Sequence, residues 1–452
     1  MTAAITDFFA EWTGGRDVPW LGTNDGAPPI AFQSWHHFKE AFAPELVARA
    51  IRSSPIEVAR CIDPFGGSGT TALTCQMLGV ASTTVEVNPF LADVIRAKLA
   101  RYDCDDLVRQ LAAIRRRSRR AIIEPGAVFP RLPTSFIEPG TEGRWIFSRK
   151  VAGRLGALLS AIDQVSSGEA RRLFRVILGG MLVDVSNVTV SGKGRRYRRN
   201  WEAASTDGTT VEWLFARRCE MAILDAQRFA SRPTLAATVV EGDARAIDYG
   251  GKHDLAVFSP PYPNSFDYTD VYNVQLWMLG YLCEPADNRA LRMSTLSSHV
   301  QLKREYSPPP IGSLTLDCTI SALAEVRANL WSPWLPNMIG AYFKDLSDVL
   351  TSVLGNLNRG GTCWLVVGNS RYAGVTIQVD QILRELALSR GWQLVERSPI
   401  RHMKSSAQQG WTPNLAECLL VFKPQAKRRP IPSLKRTSDM LSPTRRDATR
   451  GA

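Results

Sequence analysis

Residues 259–262, Ser-Pro-Pro-Tyr, put a hydroxyl, two rigid backbone positions and an aromatic ring into one short stretch. They follow Asp254-Leu-Ala-Val-Phe258, an apolar run that reads as a buried strand. Proline has no N–H and a fixed φ, so a strand that reaches Pro260 and Pro261 cannot go on pairing. The backbone is rigid where it leaves the sheet, and Ser259 and Tyr262 are held with it. In an open α/β sheet, ligands sit at the carboxyl ends of strands. The expectation is a clamp that offers one hydroxyl and one ring to a bound group.

A second stretch could do different chemistry. Asp63-Pro-Phe-Gly-Gly-Ser-Gly-Thr-Thr71 follows the strand-like Val58–Ile62 and precedes an apolar run, Ala72–Leu78. The order is strand, glycine-rich turn, helix. Gly66, Gly67 and Gly69 permit positive φ and close backbone approach to a ligand. Ser68, Thr70 and Thr71 are expected to cap the helix. The Gly-Lys-Ser/Thr ending of a phosphate loop is missing, and the spacing is not that of a dinucleotide fingerprint. Ala81–Val87 reads as the next strand and carries Glu86 at its end. A carboxylate there can accept from both hydroxyls of a ribose. Turn and carboxylate together predict a nucleoside-containing cofactor. Residues 237–243 form another strand with an acidic end, and Asp243 is placed to accept from the amino group of a purine ring.

The elements that position these residues are those of an α/β chain. Residues 1–31 read as an irregular lead-in. Pro44 suits the first position of a helix running to Arg52, with Leu46, Val47 and Ile51 on one face. The aromatic cluster before it, Trp35, Phe38 and Phe42, reads as core. Residues 90–100 read as a helix, and 101–235 as a mostly helical, basic region. Residues 263–335 form a second irregular region, broken by Ser307-Pro-Pro-Pro310. An amphipathic helix over 338–357, a buried strand over 362–368, a helix over 378–390 and strands at 392–397 and 418–422 complete the pattern.

Charge points to a partner. The 452 residues carry 55 Lys and Arg against 43 Asp and Glu, a net charge of +12. That balance favours a polyanion such as nucleic acid. Two runs concentrate it: Arg115–Arg120, and Lys193 to Arg199. In the second, Arg195, Arg196, Arg198 and Arg199 lie beside Tyr197 and Trp201, a composition suited to phosphate contact with base stacking. The eight cysteines are scattered without a Cys-x-x-Cys pair, and the five histidines lack metal-ligand spacing. No metal site is expected. No apolar stretch is long enough for a membrane span, and no signal peptide is evident.

The pairing of Asp63–Thr71 with Ser259–Tyr262 resembles the amino-group DNA methyltransferases that use S-adenosylmethionine (SAM). The Ser-Pro-Pro-Tyr form is most similar to their cytosine-N4 branch; adenine-N6 enzymes more often begin with Asp or Asn. Phe32–Val47 is similar to the segment that closes over the methionine end of SAM in this family. The likeness covers about 32–100 and 237–424. It implies a seven-stranded Rossmann-like methyltransferase sheet with largely helical insertions. It divides the chain into a SAM-binding half (1–100), a basic insertion that could read the target (101–235), a catalytic half (236–424) with its own insertion (263–335), and a basic, disordered tail (425–452). Many cytosine-N4 enzymes have the two halves in the reverse order.

The resemblance implies that Phe42, Asp63, Pro64, Phe65, Gly66, Gly67, Gly69, Thr70, Glu86 and Asp243 hold SAM, with Phe65 and Tyr262 near the sulfonium. It implies that Ser259, Pro260, Pro261 and Tyr262 hold a flipped-out cytosine. The Ser259 hydroxyl and Pro260 carbonyl would accept both N–H bonds of its amino group, aiming the nitrogen lone pair at the methyl group. Tyr262 would stack on the base. Asp267 or Asp270 could contribute to removing the proton. Lys193, Arg195, Arg196, Tyr197, Arg198 and Arg199 would contact double-stranded DNA. A cytoplasmic restriction-modification or defence enzyme follows, with a separate nuclease subunit if DNA is to be cut. Three alternatives stay open: adenine-N6 methylation, an RNA guanine-N2 methyltransferase, and an inactive DNA-binding regulator.

Overall fold

The computed structural model describes residues 7–121, 123–191, 194–202, 206–264, 266–267, 269–404 and 413–425. The expected tail falls, from residue 426, outside the described residues, as does Lys193. In chain order the strands are β1 (Arg60–Asp63), β2 (Ala81–Glu86), β3 (Val188–Ser191), β4 (Gly194–Tyr197), β5 (Ala237–Glu241), β6 (His253–Phe258), β7 (Leu357–Gly368), β8 (Ser370–Tyr372), β9 (Val375–Ile377), β10 (Trp392–Lys404) and β11 (Pro413–Pro424). Seven of them form one sheet in the order β10-β11-β7-β6-β1-β2-β5. β5, β2, β1, β6 and β7 are parallel, and β11 alone runs against its neighbours. This is the SAM-dependent methyltransferase sheet. The order reverses between β1 and β6, so the carboxyl ends of these two adjacent strands flank a crevice. The glycine turn leaves one of them and the proline clamp leaves the other.

Alternation along the central strands sends side chains to two layers. Ile62, Ala256 and Phe258 face a core with Met338, Tyr342, Leu346 and Val349 of helix Leu335–Asn356 and Ile382 and Leu386 of helix Val379–Ser389. Cys61, Leu255 and Val257 face Leu46, Val47 and Ala50 of helix Pro44–Arg52 and Cys75 of helix Thr70–Met77. Pro44 is at the helix start as expected. The closing strands are longer than their apolar segments predict, because pairing continues through polar residues on both sides of a bulged antiparallel ladder.

Three sequence expectations change. The lead-in contains a helix, Phe8–Thr13: the Asp7 carboxylate accepts from Ala10 N–H, and Phe9 and Trp12 bury the same face. The region 263–335 contains helices Pro285–Met293 and Leu314–Glu325, the first closed by reciprocal bonds between Glu284 and Asp287. No hydroxyl caps the helix after the glycine turn. Gly69 is at the cap position without a side-chain bond, and Thr71 Oγ1 instead donates to the Val257 carbonyl at 3.3 Å, tying that helix to β6.

The basic region is helical, with helices Cys104–Arg120, Arg149–Asp163, Gly168–Met181 and Gly208–Arg228. Their apolar faces share one core with Phe90, Leu91 and Val94 of helix Pro89–Leu99. Arg232 fastens the end of this region to the sheet domain. Its guanidinium is buried, lies over the Phe32 ring, and donates to Gln76 Oε1 (2.9 Å) and to the carbonyls of Lys98 (3.1 Å), Ala100 (2.6 Å) and Phe229 (3.1 Å). Two of those carbonyls terminate helix Pro89–Leu99 and lack helical partners. Arg232→Ala strands several buried acceptors at once and should destabilise the protein by about 3 kcal/mol. A thermal melt that moves by less than about 1 °C would refute that anchoring role.

Candidate active site

The two motif loops meet over one cavity of about 420 Å³. From the turn, Asp63, Pro64, Phe65, Gly66, Gly67 and Thr70 reach its wall. Ser259, Pro260, Pro261 and Tyr262 form the facing wall. Phe42, Glu86 and Asp243 also line it, so the predicted cofactor and clamp residues converge. Gly69 sits behind the wall as the helix cap, with φ of 83°.

The turn's shape follows from its hydrogen bonds. Asp63 Oδ1 accepts from Phe65 N–H at 2.9 Å, which bends the chain as it leaves β1. Gly66 N–H donates to the Val85 carbonyl at 2.8 Å, and Gly67 N–H to Glu86 Oε2 at 2.7 Å. The turn is thus pinned to the end of β2. Gly66 has no room for a side chain: a Cβ would lie 2.3 Å from Thr84 Cγ2 and 2.9 Å from Ile95 Cδ1. Gly67 needs its positive φ of 52°.

Glu86 Oε1 accepts from Asn88 N–H at 2.8 Å. Each oxygen therefore keeps capacity to accept one more bond. Burial raises the Glu86 carboxyl to about 7, against the pull of the Asn88 and Gly67 amides. Burial likewise raises Asp63 to about 7. Asp243 is bound by its neighbour: Arg245 Nε lies 2.9 and 3.0 Å from its two oxygens, and Arg245 also pairs with Asp345. Arg245 donates from its backbone N–H, Nε and Nη2, so both carboxylate oxygens are engaged and Asp243 is held in place by its neighbour.

The wall fits SAM. The hydroxyls of Ser68 and Thr70 are buried beside the cavity with no hydrogen-bond partner, which marks them as donors or acceptors for a bound polar group. Glu86 suits a ribose diol, and Phe65 and Phe42 supply apolar walls. Among the described residues, no group of three or more His, Cys, Asp or Glu could hold a metal ion.

Around the clamp, several residues escaped sequence reasoning. Phe38, read as core, is on the cavity wall and stacks flat on Tyr272, with ring centroids 6.0 Å apart and planes 5° apart. Glu40 lines the same end, and burial raises its carboxyl. His299 is buried and on the wall, and desolvation lowers its imidazole to about 4, so it is neutral at pH 7. Glu417, one residue before the apolar run 418–422, accepts from the Tyr262 hydroxyl at 2.7 Å; the Ser259 hydroxyl donates to Tyr262 Oη at 3.3 Å. Its only signal was an acidic residue abutting an apolar strand.

The suggested proton acceptors are engaged elsewhere. Asp267 forms an ion pair with Arg292 at 2.6 Å and accepts from the Thr269 hydroxyl at 2.6 Å. Burial pushes its carboxyl up, but His299, Thr269 and Arg292 bring it below the ordinary value. That makes a poor base. Asp270 accepts from the Asn273 side-chain amide at 2.9 Å.

The basic loop is a β3–β4 hairpin, and its residues divide. Arg198 is structural: Nε and Nη2 donate to the carbonyls of Ser186 (3.1 Å) and Val183 (2.8 Å). Arg195 lies over the Phe136 ring at 5.7 Å. Tyr197 packs on Trp201, which meets Trp145 edge-on. Arg196 and Arg199 are exposed and available for phosphate contact. In Arg115–Arg120, the end of a helix, Arg119 pairs with Glu212.

No protein-family model matches the chain. It is similar to the Type II methyltransferase M.BsoBI of Geobacillus stearothermophilus, at 23% identity over 84% of this chain and 82% of that protein. It is similar to the Type II methyltransferase M.AvaI of Nostoc sp., at 23% identity over 86% of both chains. A shorter match, 34% identical over 76 residues, covers 17% of this chain and 14% of the Type II methyltransferase M.MjaII of Methanocaldococcus jannaschii. Among solved structures, TehB from Haemophilus influenzae aligns at a TM-score of 0.30 and 7% identity, over 87% of this chain and 66% of that one. That likeness is loose, and the fold assignment rests on the strand order.

Proposed function

We propose that this chain, a SAM-dependent methyltransferase homologous to the Type II enzymes, methylates the exocyclic N4 of a flipped-out cytosine in double-stranded DNA, as the modification enzyme of a restriction-modification system. The observation that carries this reading is the convergence of the Asp63–Thr70 turn and the Ser259–Tyr262 clamp on one cavity. Bound SAM supplies an electrophilic methyl group on a positively charged sulfonium. Asp63 and Glu86 hold the turn beside it and accept from the cofactor's polar groups. Ser259 Oγ and the Pro260 carbonyl accept the two amino N–H bonds of the base. That draws the nitrogen toward tetrahedral geometry and turns its lone pair into the cavity. Pro260 and Pro261 keep these acceptors fixed, and Tyr262 supplies a ring for the base to rest on.

A base inside a duplex cannot reach this cavity and must be extruded. The exposed Arg196 and Arg199 suit contact with the flanking phosphates, which supports a reading in which the helical insertion 101–235 lies against the DNA. Among the described residues, no helix is long and apolar enough to cross a membrane. Any cleavage of unmodified DNA would belong to a separate subunit.

The test is modification-aware sequencing of DNA from cells expressing the protein, with nucleoside analysis of DNA methylated in vitro. N4-methylcytosine within one recurring sequence is expected. N6-methyladenine instead would move the assignment to adenine. Neither base, with SAM still bound, would overturn the DNA reading.

A further inference from the structure

The reversed strand β11 brings its early residues to the edge where the parallel strands end. Glu417 sits there, opposite Gly368 at the end of β7 and Arg401 on β10. It is 3% exposed. Its Oε1 accepts a hydrogen bond from the Tyr262 hydroxyl at 2.7 Å, and its Oε2 lies 3.5 Å from Arg401 Nε. Gly22 covers it from the lead-in segment: a Cβ there would fall 2.1 Å from Glu417 Oε2, so a glycine leaves the carboxylate its space. Burial raises the Glu417 carboxyl, while Arg401 and the Tyr262 hydroxyl oppose that rise.

The direction of the bonds matters more than their number. The Arg401 guanidinium beside Oε2 favours the ionised carboxylate, which has only lone pairs. Tyr262 must therefore donate to Glu417, and its oxygen is then an acceptor for Ser259, whose hydroxyl points to it at 3.3 Å. Ser259 has one proton, and it is committed to this chain. Toward the cavity, Ser259 Oγ offers lone pairs alone.

We propose that Glu417 is a positioning residue that fixes the direction of the Ser259–Tyr262–Glu417 chain, so that Ser259 accepts only and the site selects a base carrying an exocyclic amino group over its keto counterpart. This rests on the reading that the site methylates such an amino group, and it adds the cause of the selectivity. A keto oxygen at the same position would face lone pair against lone pair.

The test uses full-length protein and duplexes carrying its recognition sequence. The target base (cytosine, or adenine if that is the base methylated) or its keto counterpart (uracil or hypoxanthine) is placed opposite an abasic site, so that extrusion costs the same in both. Wild type should bind the amino duplex about 30-fold more tightly, the scale of one well-placed base contact. Glu417→Gln should reduce that ratio to about threefold or less, because an amide can donate to Tyr262 and let the chain reverse. Tyr262→Phe should do the same, and the double variant should lose nothing further. The melting temperature should stay within about 2 °C of wild type in all three, which shows that the fold is intact. A Glu417→Gln protein that keeps the full preference, or a double variant with additive losses, overturns the inference alone. Wild type that methylates no exocyclic amino nitrogen overturns it together with the reading beneath it.

Discussion

Ser259→Ala is expected to lower kcat by about 10²- to 10³-fold with little change in SAM affinity. The magnitude is that of deleting one fixed polar partner of a reacting group in a water-poor site. The reason is local. Ser259 is held at the end of β6 by Pro260 and Pro261, and its oxygen faces the cavity while its proton is committed to Tyr262. Alanine keeps the backbone rigid and removes the hydroxyl, which takes away the acceptor together with its bond to Tyr262. Both kcat, from single-turnover transfer of labelled methyl to DNA, and SAM Kd should be measured. A fall in kcat below about tenfold would remove Ser259 from the chemistry. An equal loss in SAM affinity would show that the clamp supports the cofactor and not the base.

Glu86→Gln should act on the other substrate. SAM Kd should rise by about 10- to 100-fold, with kcat at saturating SAM changed little. The carboxylate accepts from Gly67 and Asn88 N–H at 2.7 and 2.8 Å. An amide nitrogen cannot accept, so one backbone N–H is left unpaired in a buried place, at about 1–3 kcal/mol. The wild-type pH dependence gives an independent check. The Glu86 carboxyl sits at about 7, and on the proposed reading it is the ionised form that accepts from SAM. Affinity is therefore highest above pH 8 and should fall by about tenfold on going to pH 6, as the ionised fraction drops. Asp63, also at about 7, steepens the fall. Calorimetric titrations across that range in Glu86→Gln should show a flatter profile. An unchanged profile would assign the dependence to Asp63.

What could be read from the chain was chemistry confined to a few consecutive residues. A strand ending in two prolines, a glycine turn between strand and helix, and an acid at the end of the next strand each carry their geometry in their own residue types. The sheet then had to bring them together, and it did so between β1 and β6. Capping by Ser68, Thr70 or Thr71 failed because the backbone at Gly69 already turns into the helix, which left Thr71 free to bond β6. Phe38 could not be told from core by composition, since stacking on Tyr272 depends on a contact across more than 200 residues of chain. Arg198 looked like a phosphate ligand in a basic run, yet its bonds to Val183 and Ser186 carbonyls depend on where the preceding helix ends. Glu417 is the plainest case. Nothing in its local sequence names Tyr262 as a partner 155 positions away.

The reversal of β11 also orders the assembly of the site in time. The glycine turn and the two strands that hold it lie within residues 60–86 and are synthesised early. The clamp's final partner is contributed by β11, the last of the described strands to emerge, which lies between β7 and β10 in the sheet. A chain that ended after β7 would contain the glycine turn and Ser259 but lack the Glu417 carboxylate. On the proposed reading, the group that orients the clamp is therefore the last part of the site to be synthesised, long after the turn it faces.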